Sequence, residues 1–325
     1  MIQGRSRSRM TLPRALAGSR ASLNTAAHAV VYAALRVLWL ALSLLPLSST
    51  RRFLEGVAGW VGRFDRRHRD VIRSNLMIAF PDWSGELCES VVDLTFRNWG
   101  RVAAEVLHAR RMVRDADTDW VERAEAMLSQ LCREGRGVLV LTAHTANFEL
   151  LGRIWGLASG RRITVLHRPM GNRVVDSFLR RERARMNVDT LGRGSAARDV
   201  LTLIARGGLL AAPLDQNQPP GRPGVFVEMF GRPAATATVL ARLSLATGAP
   251  VLPVFAVWSE QGPGAVIGDP IEPGPRGQDR DEAIRRLTTA YTVAVEEAVR
   301  RHPDQWNWAH RRWKTRPEDI SAPKY

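Results

Sequence analysis

Apolar runs and stretches with helical periodicity alternate along most of the chain. Residues 138–141 are four consecutive aliphatic residues that follow Gly137, a pattern typical of a strand buried on both faces. From Thr145 to Trp155, apolar residues recur at helical spacing, with Thr145 as the expected N-cap. The pattern therefore predicts a strand, a turn that contains His144, and a helix.

The same alternation continues towards the C-terminus. Further strands are predicted at residues 163–167, 209–214, 225–230, 251–257 and 265–267. Helices are predicted at residues 174–185, 196–206, 236–247 and 281–301. Strands that alternate with helices favour parallel pairing, because each helix carries the chain back over the sheet. We therefore predict an α/β fold over residues 136–325, with a mixed, largely parallel sheet flanked by helices.

The N-terminal part is predicted to be organised differently. Residues 1–25 are rich in arginine and serine and are expected to form a disordered basic arm. Residues 26–47 are predicted to be a membrane-anchoring helix, although Arg36 would cost about 2.5–3.5 kcal/mol in hydrocarbon. That helix could span the membrane, lie in its interface or be buried in the protein. Residues 48–135 are predicted to be a helical region packed on the α/β domain. Its first apolar positions at helical spacing are Phe53, Val57, Trp60, Val61 and Phe64.

Composition adds a preference for anionic partners. The 325 residues include 47 Lys and Arg against 32 Asp and Glu, which gives a formal net charge of +15. Nucleic acid, an anionic membrane, a phosphorylated substrate and an acidic carrier protein all satisfy this charge. The two cysteines, Cys88 and Cys132, show neither metal-binding spacing nor a disulfide framework, which fits a reducing compartment.

A histidine and a glutamate follow the first predicted strand. Residues five apart in a regular helix are rotated by about 140°, so His144 and Glu149 can meet only if His144 lies before the helix. Glu149 would then accept a hydrogen bond from one imidazole nitrogen and leave the other nitrogen free as a general base. The alternative is an ordinary histidine at a strand end and a first-turn carboxylate that favours the helix dipole.

Two more polar residues follow predicted strands. Arg168 comes directly after residues 163–167, and Asp215 comes directly after residues 209–214. Open α/β sheets bind ligands at the carboxyl ends of their strands, so these side chains are expected to share one edge with His144. Arg168 could stabilise an oxyanion or hold a phosphate. Asp215 could position an acceptor, hold Arg168, or form an Asx turn.

An ordered series of motifs covers most of the chain. The series consists of RSNLMIAFP at 73–81, HTANFE at 144–149, HRP at 167–169, LDQN at 214–217, VFVEMFGRPAATAT at 225–238, APVLPVF at 249–255 and QWNWAHRRWKTRP at 305–317. With these motifs the chain resembles the late acyltransferases of lipid A biosynthesis, the lauroyl and myristoyl transferases of the lysophospholipid acyltransferase superfamily. The sequence departs from many of those enzymes at Ala146 and Asn147. This difference bears on the identity of the acceptor more than on the type of reaction.

The resemblance implies direct transfer of a fatty acyl chain to a hydroxyl of a membrane glycolipid, with a lipid A precursor as the expected acceptor. The implied donor is an acyl carrier protein thioester or acyl-CoA, and the implied location is the cytoplasmic side of the inner membrane. A base must take the proton of the acceptor hydroxyl. The sequence lacks a GxSxG motif, which would have indicated a covalent acyl-enzyme. The expected catalytic residues are His144, Glu149, Arg168 and Asp215. The expected substrate-binding residues are Asn147, Arg173 and Arg232. No metal, other cofactor or nucleic acid partner is expected.

Three alternatives stay open at this point. The acceptor could be a phosphatidylinositol mannoside or another lipid, acylated from acyl-CoA. The protein could be a metal-dependent hydrolase that uses His144 and Glu149 as ligands, although few further ligands follow at helical spacing. It could also be a basic protein that binds membranes or nucleic acids, although it lacks zinc-finger and RNA-binding signatures.

Overall fold

The computed structural model describes residues 33, 36–114, 118–132, 137–167, 173–192, 197–275 and 277–317. The helices are α1 (Leu47–Phe64), α2 (Arg66–Ala79), α3 (Gly85–Leu107), α4 (Ala109–Arg114), α5 (Asp119–Leu131), α6 (Phe148–Ala158), α7 (Arg173–Ala184), α8 (Ala197–Ala205), α9 (Val239–Thr247) and α10 (Arg280–Arg301). The strands are β1 (Val138–Thr142), β2 (Ile163–His167), β3 (Val188–Gly192), β4 (Leu209–Pro213), β5 (Gly224–Met229), β6 (Arg232–Ala237), β7 (Val251–Ser259) and β8 (Gly262–Ile267).

Six strands form the main sheet, in the order β3-β2-β4-β1-β7-β8. All neighbouring pairs are parallel except β7 and β8, which form an antiparallel hairpin at one edge. The predicted mixed, largely parallel sheet flanked by helices is therefore confirmed. β1 lies between β4 and β7, in the middle of the sheet. Its carboxyl end is thus surrounded by the ends of other strands.

Helices cover both faces of the sheet, which explains the uninterrupted apolar sequence of β1. All five of its residues are buried. Val138 and Val140 pack towards α5 and α6, whereas Leu139 and Leu141 pack towards α2, α3, α9 and α10. Because side chains alternate between the faces of a strand, a central strand between two helical layers must be apolar at every position.

Two observed strands are absent from the sequence-based prediction. β3 is a half-exposed edge strand whose sequence, VDTLG, has little apolar alternation. β6 consists mainly of small residues and includes Pro233, and it pairs with β5 in a separate antiparallel hairpin. The predicted helix at 236–247 consequently begins only at Val239. In both strands the pairing partner supplies a stability that the local pattern does not reveal.

Glycines determine which side of α1 packs on α3. A Cβ atom at Gly62 would lie 2.4 Å from Phe96 Cγ, and one at Gly100 would lie 2.3 Å from the carbonyl oxygen of Leu54. Only glycine permits such a close approach. The side of α1 with Leu54 and Gly62 therefore faces α3. Five large apolar side chains on other sides of α1 face outward and are 42–69% exposed: Phe53, Val57, Trp60, Val61 and Phe64.

The predicted anchoring helix at 26–47 lies partly outside the described residues. Residues 36–44 are helical, and this helix ends before Pro46, the residue at which the sequence predicts a stop. Arg36 lies 3.8 Å from a carboxylate oxygen of Glu182 and over the ring of Phe178, both on α7. None of the described helices is both long and apolar enough to cross a membrane. The predicted basic arm at 1–25 lies outside the described part of the chain.

The C-terminal tail packs into the core. Trp306, Trp308 and Trp313 are 2%, 0% and 4% exposed. Asn75, from the RSNLMIAFP motif, donates hydrogen bonds of 2.7 Å to the carbonyl oxygens of Trp308 and His310. These tryptophans therefore pack internally. The tail thus shares one hydrophobic cluster with α2, α3 and the sheet.

Candidate active site

His144 lies between β1 and α6, outside any helix. The helix begins at Phe148, and its N-cap is Asn147, whose side-chain oxygen accepts from the backbone N–H of Leu150 at 3.1 Å. The prediction that His144 precedes the helix of Glu149 is therefore confirmed. The prediction that Thr145 caps the helix is wrong, because Thr145 instead forms an isolated β-bridge with the tail.

The C-terminal tail holds the turn that carries His144. The backbone N–H of Ala146 donates to the carbonyl oxygen of Gln305 at 2.7 Å, and the N–H of Asn307 donates to the carbonyl oxygen of His144 at 3.0 Å. Ala146 has a φ of 40°, a conformation that non-glycine residues rarely adopt. The hydrogen bonds on both sides of Ala146 stabilise this unusual backbone and fix the direction of the imidazole.

Asp215 is the carboxylate that contacts the imidazole. Its Oδ1 lies 2.8 Å from His144 Nδ1, and its Oδ2 accepts from the backbone N–H of His144 at 2.8 Å. The indole N–H of Trp306 donates to the same Oδ2, also at 2.8 Å. With Asp215 only 3% exposed, these bonds fix the Nδ1–H tautomer of His144 and leave Nε2 free to accept a proton.

The imidazolium form of His144 and the carboxylate form of Asp215 stabilise each other. Burial by itself opposes the charged imidazolium, but the charge and hydrogen bond of Asp215, with a smaller effect of the Glu149 charge, raise the pKa of His144 above its usual value. Burial would likewise raise the pKa of Asp215, but the His144 charge and the hydrogen bonds from His144 and Trp306 hold it well below its usual range. Asp215 is therefore ionised, and it stabilises a proton on His144.

Glu149 is bonded to arginine rather than to His144. Arg183 Nε donates to Glu149 Oε2 at 3.0 Å, and Arg183 Nη2 contacts Oε1. Arg153 Nη2 lies 3.7 Å from Oε2. Burial opposes ionisation of Glu149, but these arginines and the His144 charge lower its pKa below the usual value. The predicted hydrogen bond between Glu149 and His144 is thus corrected to one between Asp215 and His144.

Asn147 is a structural residue of the turn. It is 3% exposed, and its side-chain N–H donates to Glu105 Oε2 at 2.9 Å while its oxygen caps α6. The indole N–H of Trp258 also donates to Glu105 Oε2, at 3.0 Å, and Arg101 Nε donates to Oε1 at 2.9 Å. Because both ends of the Asn147 amide are bonded within the protein, its position does not favour the predicted contact with substrate.

Three arginines were predicted to be site residues, and the structure describes the side chain of only one of them. Arg168 lies outside the described residues. Arg173 is the first residue of α7, but its side chain is not described. Arg232 is exposed next to the turn between β5 and β6, outside the lining of the cavity described below. Their roles remain predictions, and for Arg232 the position does not favour a contact near His144.

A cavity of about 1300 Å³ opens at the carboxyl edge of the sheet, in front of His144. Single-ligand sites typically measure about 300–1,000 Å³, so this space could hold parts of two substrates. We call the part of its lining that comes from the sheet and α6 the apolar arm; it is mainly apolar and includes Val140, Leu151, Trp155, Ile163, Val165 and Ala211. We call the part that comes from α9 and from residues next to the β5-β6 hairpin the second arm; it includes Gln218, Arg222 and Arg242.

Several of these neighbours of His144 were not predicted from the sequence. Gln216 Nε2 lies 3.4 Å from His144 Nε2 on the cavity side, and its position directly after Asp215 in the LDQN motif was the available signal. Trp306 lies in the motif at 305–317 and Arg183 in none of the motifs, but neither position by itself indicates a contact with this site, because each meets it only through folding. Among the described residues, His, Cys, Asp and Glu side chains form no group of three or more that could hold a metal ion.

Comparison with known families decides the class of the protein. The model of the bacterial lipid A biosynthesis acyltransferase family matches residues 18–315, which is most of the chain. The chain belongs to this family. The protein is therefore an acyltransferase, and the cavity in front of His144 is the candidate active site of such an enzyme.

Individual relatives agree with this classification. The acyltransferase is 30% identical over 266 residues to the lipid A biosynthesis palmitoleoyltransferase of Escherichia coli (strain K12), a match that covers 80% of this chain and 83% of the relative. It is 27% identical over 293 residues to the lipid A biosynthesis lauroyltransferase of the same organism, covering 88% and 92% of the two chains. A lipid A biosynthesis acyltransferase of Shigella flexneri is also 30% identical over 266 residues.

Proposed function

We propose that the protein transfers a fatty acyl chain from an acyl carrier protein thioester to a hydroxyl of a lipid A precursor. The observation that carries the proposal is the bonded pair of His144 and Asp215, with His144 in the lining of a large cavity, in a member of this family. The names of the relatives support the acceptor class. The resemblance noted from the sequence motifs supports the carrier thioester as the donor.

The pair suits direct transfer. His144 Nε2 takes the proton of the acceptor hydroxyl while the hydroxyl oxygen attacks the thioester carbonyl. Asp215 stabilises the imidazolium that forms, and Nε2 then returns the proton to the leaving thiolate. The carbon–oxygen bond of the ester forms as the carbon–sulfur bond breaks, and the products are the acylated lipid and the free carrier thiol. In this proposal Asp215 takes the orienting role that the sequence suggested for Glu149.

The apolar arm between the sheet and α6 is suited to the acyl chain. Trp155 and Ile163, each 1% exposed, line its inner part. Trp155 lies seven residues after Phe148 on α6, which corresponds to about 10 Å along the helix axis. The Glu149–Arg183 pair also lines the cavity, where the arginine neutralises a carboxylate that would otherwise face hydrocarbon. This arm buries methylene groups, each worth about 0.8 kcal/mol.

The second arm is suited to an anionic group. Arg222 and Arg242 are exposed in its lining, and neither forms an ion pair with a described carboxylate. Arg242 Nε donates to Thr238 Oγ1 at 2.9 Å, which orients the guanidinium. Arginine binds phosphate oxygens well because it offers several N–H donors in a planar fork. We assign this arm to a phosphate of the acceptor or of the donor.

An oxyanion donor is still required for the tetrahedral intermediate. Gln216 is the described side chain best situated for this role, because its amide nitrogen lies 3.4 Å from His144 Nε2 and its side chain lines the cavity. Arg168 remains a second candidate on the strength of its sequence position after β2. We also propose that the enzyme acts at the cytoplasmic face of the inner membrane, with residues 26–47 as its anchor and residues 136–325 as the catalytic domain.

The proposal is tested with labelled acyl carrier thioester and a lipid A precursor, with products read by lipid mass spectrometry. We expect His144→Ala to lower the rate of transfer by about 10²–10⁴-fold in a protein that still unfolds in a cooperative transition above the assay temperature. His68→Ala, a change of a histidine on α2 that lies at the surface, serves as the control. Full activity of His144→Ala would contradict the assignment of the base.

Panels of donors and acceptors separate the remaining alternatives. Acyl-CoA is compared with the carrier thioester, and a phosphatidylinositol mannoside is compared with the lipid A precursor. An acceptor without phosphate groups tests the assignment of Arg222 and Arg242. Transfer only from acyl-CoA, or only to the mannoside, would contradict the proposed donor or acceptor while leaving the chemistry of His144 in place.

A further inference from the structure

Helix α1 exposes an unusual apolar surface. Phe53, Val57, Trp60, Val61 and Phe64 are 57%, 42%, 61%, 48% and 69% exposed. At about 100° per residue, these five positions fall within a stripe about 100° wide. We call this set the α1 stripe. Contiguous exposed apolar patches of this kind mark an interaction surface, since a solvated helix normally turns such a stripe towards the core.

The stripe is preceded by a second exposed apolar segment. Between residues 36 and 45, the large apolar side chains Val37, Leu38, Leu40, Leu44 and Leu45 are 46–86% exposed. Pro46 separates this segment from α1. The ring of Trp39 in the same segment packs edge-on against Phe178 of α7 at 4.9 Å. α7 also contributes Leu179 and Arg183 to the lining of the cavity, so the exposed segment is attached to a wall of the active site.

Exposed arginines lie along one side of the α1 stripe and at the start of the next helix. Arg52 and Arg63 on α1 and Arg66 and Arg67 at the start of α2 are all exposed. Glu55, the sole acidic residue of α1, is paired with Arg51 at 2.6 Å. An apolar stripe bordered by arginines matches the interface of a membrane that contains anionic lipids, where the rings enter the acyl boundary and the guanidinium groups meet phosphates.

We propose that α1 lies in the plane of an anionic membrane surface, with the α1 stripe in the acyl boundary and Arg52, Arg63, Arg66 and Arg67 at the phosphates. This contact is separate from any anchor formed by residues that precede it. Together with the segment attached to α7, it holds a wall of the catalytic cavity close to the lipid surface. A membrane lipid acceptor could then reach His144 without leaving the membrane environment.

The test places an environment-sensitive fluorophore on the full chain, in a Cys88→Ser, Cys132→Ser background with the native melting transition. One variant carries the probe at Val57→Cys, within the stripe. The matched control carries it at Val293→Cys on α10, where Val293 is 47% exposed on another helix. Both are mixed with vesicles of phosphatidylethanolamine and phosphatidylglycerol, or of phosphatidylcholine alone, with and without a lipid whose acyl chain carries a quencher.

We expect the probe at position 57, but not the probe at 293, to shift to shorter wavelength and to be quenched on phosphatidylglycerol vesicles. Substituting serine for both Arg63 and Arg67 should weaken this insertion by about tenfold, as should raised salt. A position-57 probe that stays in water while the chain is vesicle-bound would overturn the proposal. Without vesicles, emission of the position-57 probe at shorter wavelength than that of the position-293 probe would indicate that a second copy of the chain covers the α1 stripe. That result would also overturn the proposal. Equal insertion on phosphatidylcholine would overturn the role of the arginines.

Discussion

The two sides of the His144 ring are built in different ways. Behind the ring, Asp215 is almost fully buried, and His144 and Trp306 supply its hydrogen bonds. In front of the ring lies the cavity, where Glu149 is already bonded to Arg183. A carboxylate that an arginine neutralises gives an imidazolium less stabilisation than one whose charge is directed at the ring. The comparison teaches that proximity in sequence does not identify the chemical partner of a histidine.

Of the changes that test this difference between Asp215 and Glu149, Asp215→Asn is expected to have the largest effect on activity. Asparagine cannot stabilise the imidazolium, so kcat/KM should fall by about 10²–10⁴-fold. The base must be neutral, and activity is therefore lost as the pH falls through the pKa of His144. Because Asp215 raises that pKa, its removal should move the acid limb of the pH profile to lower pH. The pH dependence of kcat/KM measures both effects.

A suitable control for this change is Asp199→Asn, which alters an exposed carboxylate in the first turn of α8. It should leave both the rate and the acid limb unchanged. An acid limb that stays in place in Asp215→Asn, with a rate close to that of the unchanged protein, would contradict the pairing of Asp215 with His144.

Glu149→Gln should affect stability more than chemistry. The change removes the charge that pairs with Arg183 and Arg153, and loss of one partner of a buried ion pair costs about 3–5 kcal/mol. We expect a clear fall in melting temperature and a loss of activity of at most about tenfold, well below that of Asp215→Asn, because the Glu149 charge contributes least to the raised pKa of His144. Thermal unfolding and kcat/KM on the same sample separate the two effects.

Glu297→Gln provides the matched control, because Glu297 and Arg301 form an ion pair at the surface of α10, with side chains 60% and 61% exposed. Its melting temperature should hardly change. If Glu149→Gln lost as much activity as Asp215→Asn, this result would contradict the assignment to Asp215 alone and would favour the functional pairing of His144 with Glu149 that the sequence suggests.

The smallest effect is expected from Trp306→Phe, which keeps the ring but removes the N–H donor to Asp215. Loss of one hydrogen bond, worth about 0.5–1.5 kcal/mol, should lower kcat by about threefold. Since the Trp306 bond lowers the pKa of Asp215, a more basic Asp215 should move the acid limb slightly to higher pH, opposite in sign to Asp215→Asn. Trp308→Phe, which removes a bond to the carbonyl oxygen of Pro303, is the control. A shift in the same direction as in Asp215→Asn would contradict this arrangement.

The sequence predicted the parts of the fold whose signal is local. β1, β2, β4 and β7 are apolar runs long enough to identify, and the helices between them carry regular periodicity. β3 and β6 were missed because their sequences are mixed or small and their stability comes from a partner strand. The common edge of His144 and Asp215 was also predictable, because the carboxyl ends of parallel strands meet at one edge.

The partners of these residues were not predictable in the same way. Both Asp215 and Glu149 are acceptable neighbours of a histidine, and the order of residues alone favoured the closer one. The choice depends on where Trp306 and Arg183 arrive, 162 and 39 positions after His144 in the numbering of the chain. Neither position carries a local pattern that points to His144.

By itself, the sequence determined the α/β class, a histidine in the turn before α6, and a helix with an apolar stripe at α1. Only the tertiary structure decided that Asp215 contacts the imidazole and that the α1 stripe faces outward. The physical reason is the same in both cases. Periodicity and local motifs fix what a segment is, whereas the direction it faces depends on close packing with distant segments, such as Gly62 against Phe96 or Trp306 against Asp215.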